Sequence, residues 1–187
     1  MRIDPAYQKI TAEEFLAIDF GTDRRFELSN GVIQMMSGGS STHAHVAGNI
    51  YAFLRANLRG SGCVPFNSDM ALRVSATDVR YPDIAVYCGS PLFAGKRPTL
   101  SFENPTVIIE VLSQSTSTLD QGTKLEEYRE IASVETIVFV DPDNELTRLF
   151  QRIGPTSWRD DMFAQPHDII LPSLNLTIPH DVIFDWD

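Results

Sequence analysis

The run PTVIIEVLS, residues 105–113, carries one carboxylate, Glu110, among branched apolar residues. Val, Ile and Leu on both sides predict a strand covered on both faces. An ionised carboxylate is costly there unless a metal ion or another cation compensates it. Alternation along the strand puts Ile108, Glu110 and Leu112 on one side and Val107, Ile109 and Val111 on the other. Glu110 lies near the strand's end, where a parallel or mixed sheet opens into a binding crevice. The plainer alternative is a Glu that pairs with a nearby Arg or escapes to solvent at an edge. Asp83 follows Pro82 at the entry to YPDIAVY, an earlier strand of the same kind. A lone Pro-Asp step is more often turn chemistry. Consecutive strands often neighbour each other, however, so Asp83 and Glu110 can converge on one divalent cation, whose hard character suits carboxylate oxygens.

The elements that must position these acids form a mixed pattern in which strands outnumber helices. TAEEFLAI opens with Thr11 three residues before Glu14, the capping-box spacing of a short helix. RRFELSNGVIQMM reads as a hairpin turning at Asn30-Gly31, with Glu27 on its first strand. Residues 42–59 carry Val46, Ile50, Leu54 and Leu58 at helical spacing, with Gly60 as the stop. CVPFNSDMALRV and YPDIAVY are read as strands, and residues 89–105 as a loop. A second helix spans 118–132 with Leu125, Tyr128 and Ala132 on its inner face, followed by the strands ETIVFVDP and LTRLFQR and a largely extended C-terminal segment. No repeat or linker divides the chain, which predicts one domain over residues 1–187.

Composition bounds the function. A formal charge of −10 and a pI near 4.7 exclude broad non-specific attraction to nucleic acid, which depends on many Lys and Arg contacts to phosphate. A polyanionic substrate then requires a local basic strip, for which Arg24, Arg25, Arg55 and Arg59 are candidates, or a bound metal. Cys63 and Cys88 fall in no CxxC or Cys/His pattern, so neither a zinc site nor a disulfide framework is expected. With no signal-like or membrane-spanning apolar run, the expected location is the cytoplasm, with no membrane partner.

Taken together and in order, FELSNG, His43, Pro82-Asp83, EVLSQST, Asp120 with Lys124 and Tyr128, and VFVDP resemble a known pattern. It is that of the PD-(D/E)XK nuclease superfamily, and within it the bacterial restriction-endonuclease-like branch called the Uma family, formerly domain of unknown function 820. The resemblance spans nearly the whole chain. It implies an α/β fold of mixed α+β character: a restriction-endonuclease-like core with a central mixed sheet flanked by helices, an N-terminal hairpin and an extended C-terminal segment. It also implies a metal-dependent endonuclease acting on nucleic acid, with DNA the expected substrate and Mg2+ or Mn2+ held by Asp83 and Glu110. The acidic balance is awkward for such an enzyme, and a homodimer is expected to offset it, with a partner protein or the basic strip as alternatives.

One position departs from the superfamily pattern. Its lysine stands two residues after the Glu, where this chain has Leu112. The resemblance assigns that role to Lys124 on the following helix, where the plain reading is a solvated lysine paired with Asp120. Glu27 would be an upstream acid, against the reading of a half-exposed strand residue. His43 matches an accessory position, with capping or packing as the alternative. His45, two residues on, points elsewhere on a helix and makes no metal pair with it. A module that keeps the fold without catalysis is the competing expectation, favoured by the acidic charge and by Leu112.

Overall fold

The structure, a computed structural model, describes residues 9–36, 38–89, 101–113, 118–163 and 165–186, of which 118–120 by their backbone alone. Thr11 caps helix α1 (Ala12–Leu16) through the expected reciprocal bonds with Glu14. Strands β1 (Phe26–Ser29) and β2 (Val32–Met35) form the expected hairpin, in register from Phe26 opposite Met35 to Ser29 opposite Val32. Asn30 and Gly31 close it with φ of 49° and 76°, a pair of left-handed residues whose twist matches that of the strands. Ser40 caps α2 (Ser41–Asn57), accepting from the His43 N–H.

Strands β3 (Cys63–Asn67), β4 (Ala71–Arg73), β5 (Val79–Arg80), β6 (Ile84–Cys88), β7 (Ser101–Phe102) and β8 (Val107–Val111) follow, then α3 (Thr118–Glu130). The chain finishes with β9 (Thr136–Asp141), β10 (Leu146–Gly154), β11 (Ser157–Phe163), β12 (Ile169–Leu171), a 3-10 turn at Pro172–Leu174, β13 (Leu176–Ile178) and α4 (His180–Ile183). The six-stranded sheet runs β11-β10-β9-β8-β6-β3, with β8 and β9 parallel and the other pairs antiparallel. The strands expected at 83–87, 107–112 and 136–140 are therefore adjacent in one mixed sheet. A second sheet, β2-β1-β5-β4-β7, carries the hairpin, and β12 pairs with β13.

The alternation read along β8 divides the core in two. Val107, Ile109 and Val111 pack on one face with Val46, Ile50 and Leu54 of α2 and with Leu58 at its C-cap. Ile108 and the partly buried Leu112 pack on the other with Leu125 and Tyr128 of α3. Burial of each large apolar side chain contributes roughly 1.5–3 kcal/mol, so the helices clamp the sheet from both sides.

The chain departs from sequence expectation in several places. CVPFNSDMALRV is two strands in different sheets, broken by the turn at 68–70. Helix α3 stops at Glu130, so Ala132 is exposed and Ile131 and Val134 fill its intended place. Cys63 and Cys88 form a disulfide, correcting the expectation of no disulfide framework. They lie 25 residues apart but directly opposite in the β3–β6 ladder, a proximity no local motif announces. Such bonds persist in oxidising surroundings and are rare in the cytoplasm, so the pairing runs against the cytoplasmic expectation. Most of the loop foreseen at 89–105 lies outside the described residues. Among those described, no helix is long and apolar enough to cross a membrane.

Candidate active site

Pro82 ends the run from β5, and the next residue, Asp83, stands immediately before β6. Because β6 is antiparallel to β8, with Ile84 opposite Ile109, Asp83 arrives beside the C-terminal end of β8, where Glu110 sits. Helix α3 crosses that face and brings Lys124 and Tyr128, one turn apart, over Glu110. Hairpin strand β1 contributes Glu27, and the first turn of α2 contributes His43. All five predicted residues, Glu27, His43, Asp83, Glu110 and Lys124, line one cleft of about 590 Å³.

Asp83 accepts the Val111 N–H at 2.8 Å and faces His43 Nε2 at 3.1 Å, both on Oδ2. A carboxylate only accepts, so this contact requires the His43 proton on Nε2. The bond to Asp83 lifts the His43 pKa above its ordinary value, with burial working against the rise. Gly39 gives the imidazole its place, because a Cβ there would lie 2.6 Å from His43 Nδ1. His45 turns away, as expected, to stack on Trp186 and bond the Asp185 carbonyl.

Glu110 is 7% exposed. Its Oε1 accepts the Tyr128 hydroxyl at 2.6 Å and faces Lys124 Nζ at 3.6 Å. Burial pushes the Glu110 carboxyl up to about 7. Lys124 and the Tyr128 hydroxyl oppose that rise, and the charges of Asp83 and Glu27 add to it. Lys124 also stands 3.5 Å from Glu27 Oε1. It is thus no solvated rim lysine, since only 13% of its side chain is exposed. The side chain of Asp120, its expected partner, lies outside the described residues, as do residues 114–117 of EVLSQST.

One participant, Arg80, escaped the sequence reading, and the contact made by another, Tyr128, was not legible in it. Tyr128 is legible as an inner-face residue, but its hydroxyl contact with Glu110 depends on how α3 crosses β8. Arg80 is 1% exposed and bonds Glu27, Glu127 and Ser29. Its one signal is an arginine on an otherwise strand-like approach to Pro82. The basic strip does not form as expected: Arg24 and Arg25 line the cleft, whereas Arg55 and Arg59 line a separate hollow beside Cys63.

The donor set bears on a metal. The hydrogen bonds and ion pairs to Asp83 fall on Oδ2 and those to Glu110 on Oε1, which leaves one oxygen of each acid with no such partner among the described residues. Buried Glu27 Oε1 accepts no hydrogen bond. Among the described residues no set of three or more His, Cys, Asp or Glu converges as a metal cage. Two carboxylates completed by waters and a substrate phosphate are the usual surroundings of Mg2+, so the residues present fit that ion.

A family model, Uma2, described as "Putative restriction endonuclease", matches residues 12–179. The chain belongs to the Uma2 family. A crystal structure of "a putative nuclease belonging to DUF820" from Anabaena variabilis superposes with a TM-score of 0.78, covering 95% of this chain and 98% of that one at 19% identity. This likeness establishes the restriction-endonuclease-like fold. Two uncharacterized Synechocystis proteins are also similar. One, slr1290, is 25% identical over 95% of this chain and 93% of its own length; the other, sll1609, is 27% identical over 80% and 84%. Uma2 membership and the fold together support a nuclease at that coarse level.

Proposed function

We propose that this Uma2 protein is a metal-dependent endonuclease that hydrolyses phosphodiester bonds, with DNA as substrate and Asp83, Glu110 and Lys124 at the reacting centre. The observation that carries the reading is the meeting, in one cleft, of two carboxylates from adjacent strand ends with a largely buried lysine. Asp83 and Glu110 would hold Mg2+ or Mn2+, which when bound supplies a Lewis acid for the phosphate and an acidified water. The residues of the chain do the remaining work. Asp83 is fixed by the Val111 N–H and His43, and Glu110 by Tyr128, so each presents its other oxygen to the cleft without reorganisation. The Lys124 ammonium orients the attacking water and offsets negative charge developing on the phosphate. Glu27 opposes the lysine from β1 and restrains its flexible stem. Arg24 and Arg25, at the same cleft, supply positive charge that the chain as a whole lacks.

A homodimer fits this reading. Among the described residues strand β2 is the outer strand of its sheet, with Val32, Ile33 and Met35 all exposed, and edges of this kind pair with other strands. Gln34 and Met35 of that strand also line the cleft.

The test is incubation of the purified chain with end-labelled single- and double-stranded DNA and RNA, in Mg2+, Mn2+ or EDTA. Cleavage of DNA that requires metal and is lost in Asp83→Asn and Glu110→Gln is the expected result. Binding of DNA without cleavage under any metal condition would instead identify a non-catalytic module.

A further inference from the structure

Arg80 is the most deeply buried charged side chain among the described residues, and neither the metal pair nor the lysine accounts for it. It ends β5, three residues before Asp83. Its Nε and Nη2 grip both oxygens of Glu127 on α3, at 2.7 and 2.6 Å. Nη1 reaches Glu27 Oε2 at 3.2 Å, and Nη2 also donates to Ser29 at 3.1 Å. Glu127 lies three residues after Lys124 on the same helix, and the other oxygen of Glu27 faces Lys124 Nζ. The contacts close a ring: from Arg80 to Glu27, across to Lys124, along one turn of α3 to Glu127, and back to Arg80. Helix and hairpin strand are thereby tied to each other beside Glu110.

We propose that Arg80 is a positioning residue of the cleft, which fixes α3 against β1 through its fork and so sets Lys124 over Glu110. Lysine cannot replace it, because the arrangement uses a planar group with donors in a fixed geometry, satisfying a bidentate carboxylate and a second acid at once. Burial alone would weaken the charged guanidinium. The bonds and charge of Glu127, followed by Glu27, more than restore it, so the cation is permanent. Being buried, Arg80 does not meet the substrate, and its influence passes through Lys124.

This inference rests on the nuclease reading for its kinetic consequence but not for its structural one, so two readouts are combined. The sequence contains three lysines, Lys9, Lys96 and Lys124, so 13C-lysine-labelled protein gives a simple spectrum in which Lys124→Arg identifies the Lys124 signal. At fixed pH, Arg80→Lys, whose own added lysine signal is the one that persists when Lys124→Arg is combined with it, and the milder Glu127→Gln are expected to shift the Lys124 signal towards that of an exposed lysine. Asp160→Asn, on the distant β10–β11 pair, should leave it in place. In single-turnover cleavage Arg80→Lys should slow the step by about 10- to 100-fold. The KM for DNA should be unchanged, and Arg80→Lys should add no further loss to Lys124→Ala. A Lys124 signal unmoved in folded Arg80→Lys and Glu127→Gln would overturn the proposal, as would rate losses that multiply in the double variant. If the unaltered protein cleaves nothing, the nuclease reading fails, and the spectra alone decide whether Arg80 holds Lys124.

Discussion

Lys124 Nζ lies 3.6 Å from Glu110 Oε1, although the two are fourteen positions apart and Leu112 occupies the place where the parent pattern has its lysine. The helix supplies what the strand lacks. Lys124→Ala should therefore lower cleavage by about 10²–10³-fold, the usual cost of losing one preorganised electrostatic group. Because Lys124 sits between two buried carboxylates, some stability will be lost as well, and circular dichroism must show that the variant remains folded. Leu112 lines the same cleft on the Glu110 side of β8, so Leu112→Lys added to Lys124→Ala is expected to recover part of the rate. Full activity in Lys124→Ala alone would remove the residue from the chemistry.

Glu110 makes the metal-free protein sensitive to pH. Its carboxyl is raised from an ordinary 4.5 to about 7, so the folded state prefers the protonated form. The stability this contributes is complete below about 4.5 and is lost as pH rises through 7. Glu110→Gln cannot ionise, so it should gain on the unaltered protein across that interval, by about 3 kcal/mol, and level off above it. Urea denaturation in EDTA at several pH values between 4 and 8 measures the difference. A difference independent of pH would mean that Glu110 is not held in the environment described.

His43 owes its raised pKa first to the bond with Asp83, and the glycine beneath the ring permits that bond. Gly39→Ala should push the imidazole away at little cost in stability, since the atoms it meets belong to a side chain that can rotate. The His43 pKa, followed by NMR in metal-free protein, should fall back towards 6.5 both there and in Asp83→Asn. An unshifted titration in Gly39→Ala would show that the ring keeps its contact by another route.

The sequence carries the site more fully than it carries the architecture around it. Strand alternation placed Glu110 and Leu112 on the α3 face of β8, and Asn30-Gly31 set the hairpin that presents Glu27, because both depend on local backbone geometry. The meeting of Asp83 with Glu110 followed from adjacency of consecutive strands. What stayed hidden depends on contacts distant in sequence. Cys63 meets Cys88 only because β3 and β6 pair in that register. Arg80 finds Glu127 only once α3 lies across the sheet, and Ala132 loses its expected burial because α3 ends two residues early. Arg55 lies 12 positions beyond His43 on α2 and Arg59 just past the end of that helix, which carries both away from the cleft to the separate hollow beside Cys63.

The central claim is that Asp83 and Glu110 together hold a divalent cation, and calorimetric titration of Mn2+ into the metal-free protein tests it most directly. Saturable binding is expected, strengthening as pH rises through 7 because the cation must displace a proton from Glu110. Asp83→Asn and Glu110→Gln should each weaken it at least about tenfold, a floor set by the cost of losing even an outer-shell partner. Equal affinity in the unaltered protein and both variants, or no binding by the unaltered protein with or without DNA present, would contradict the account.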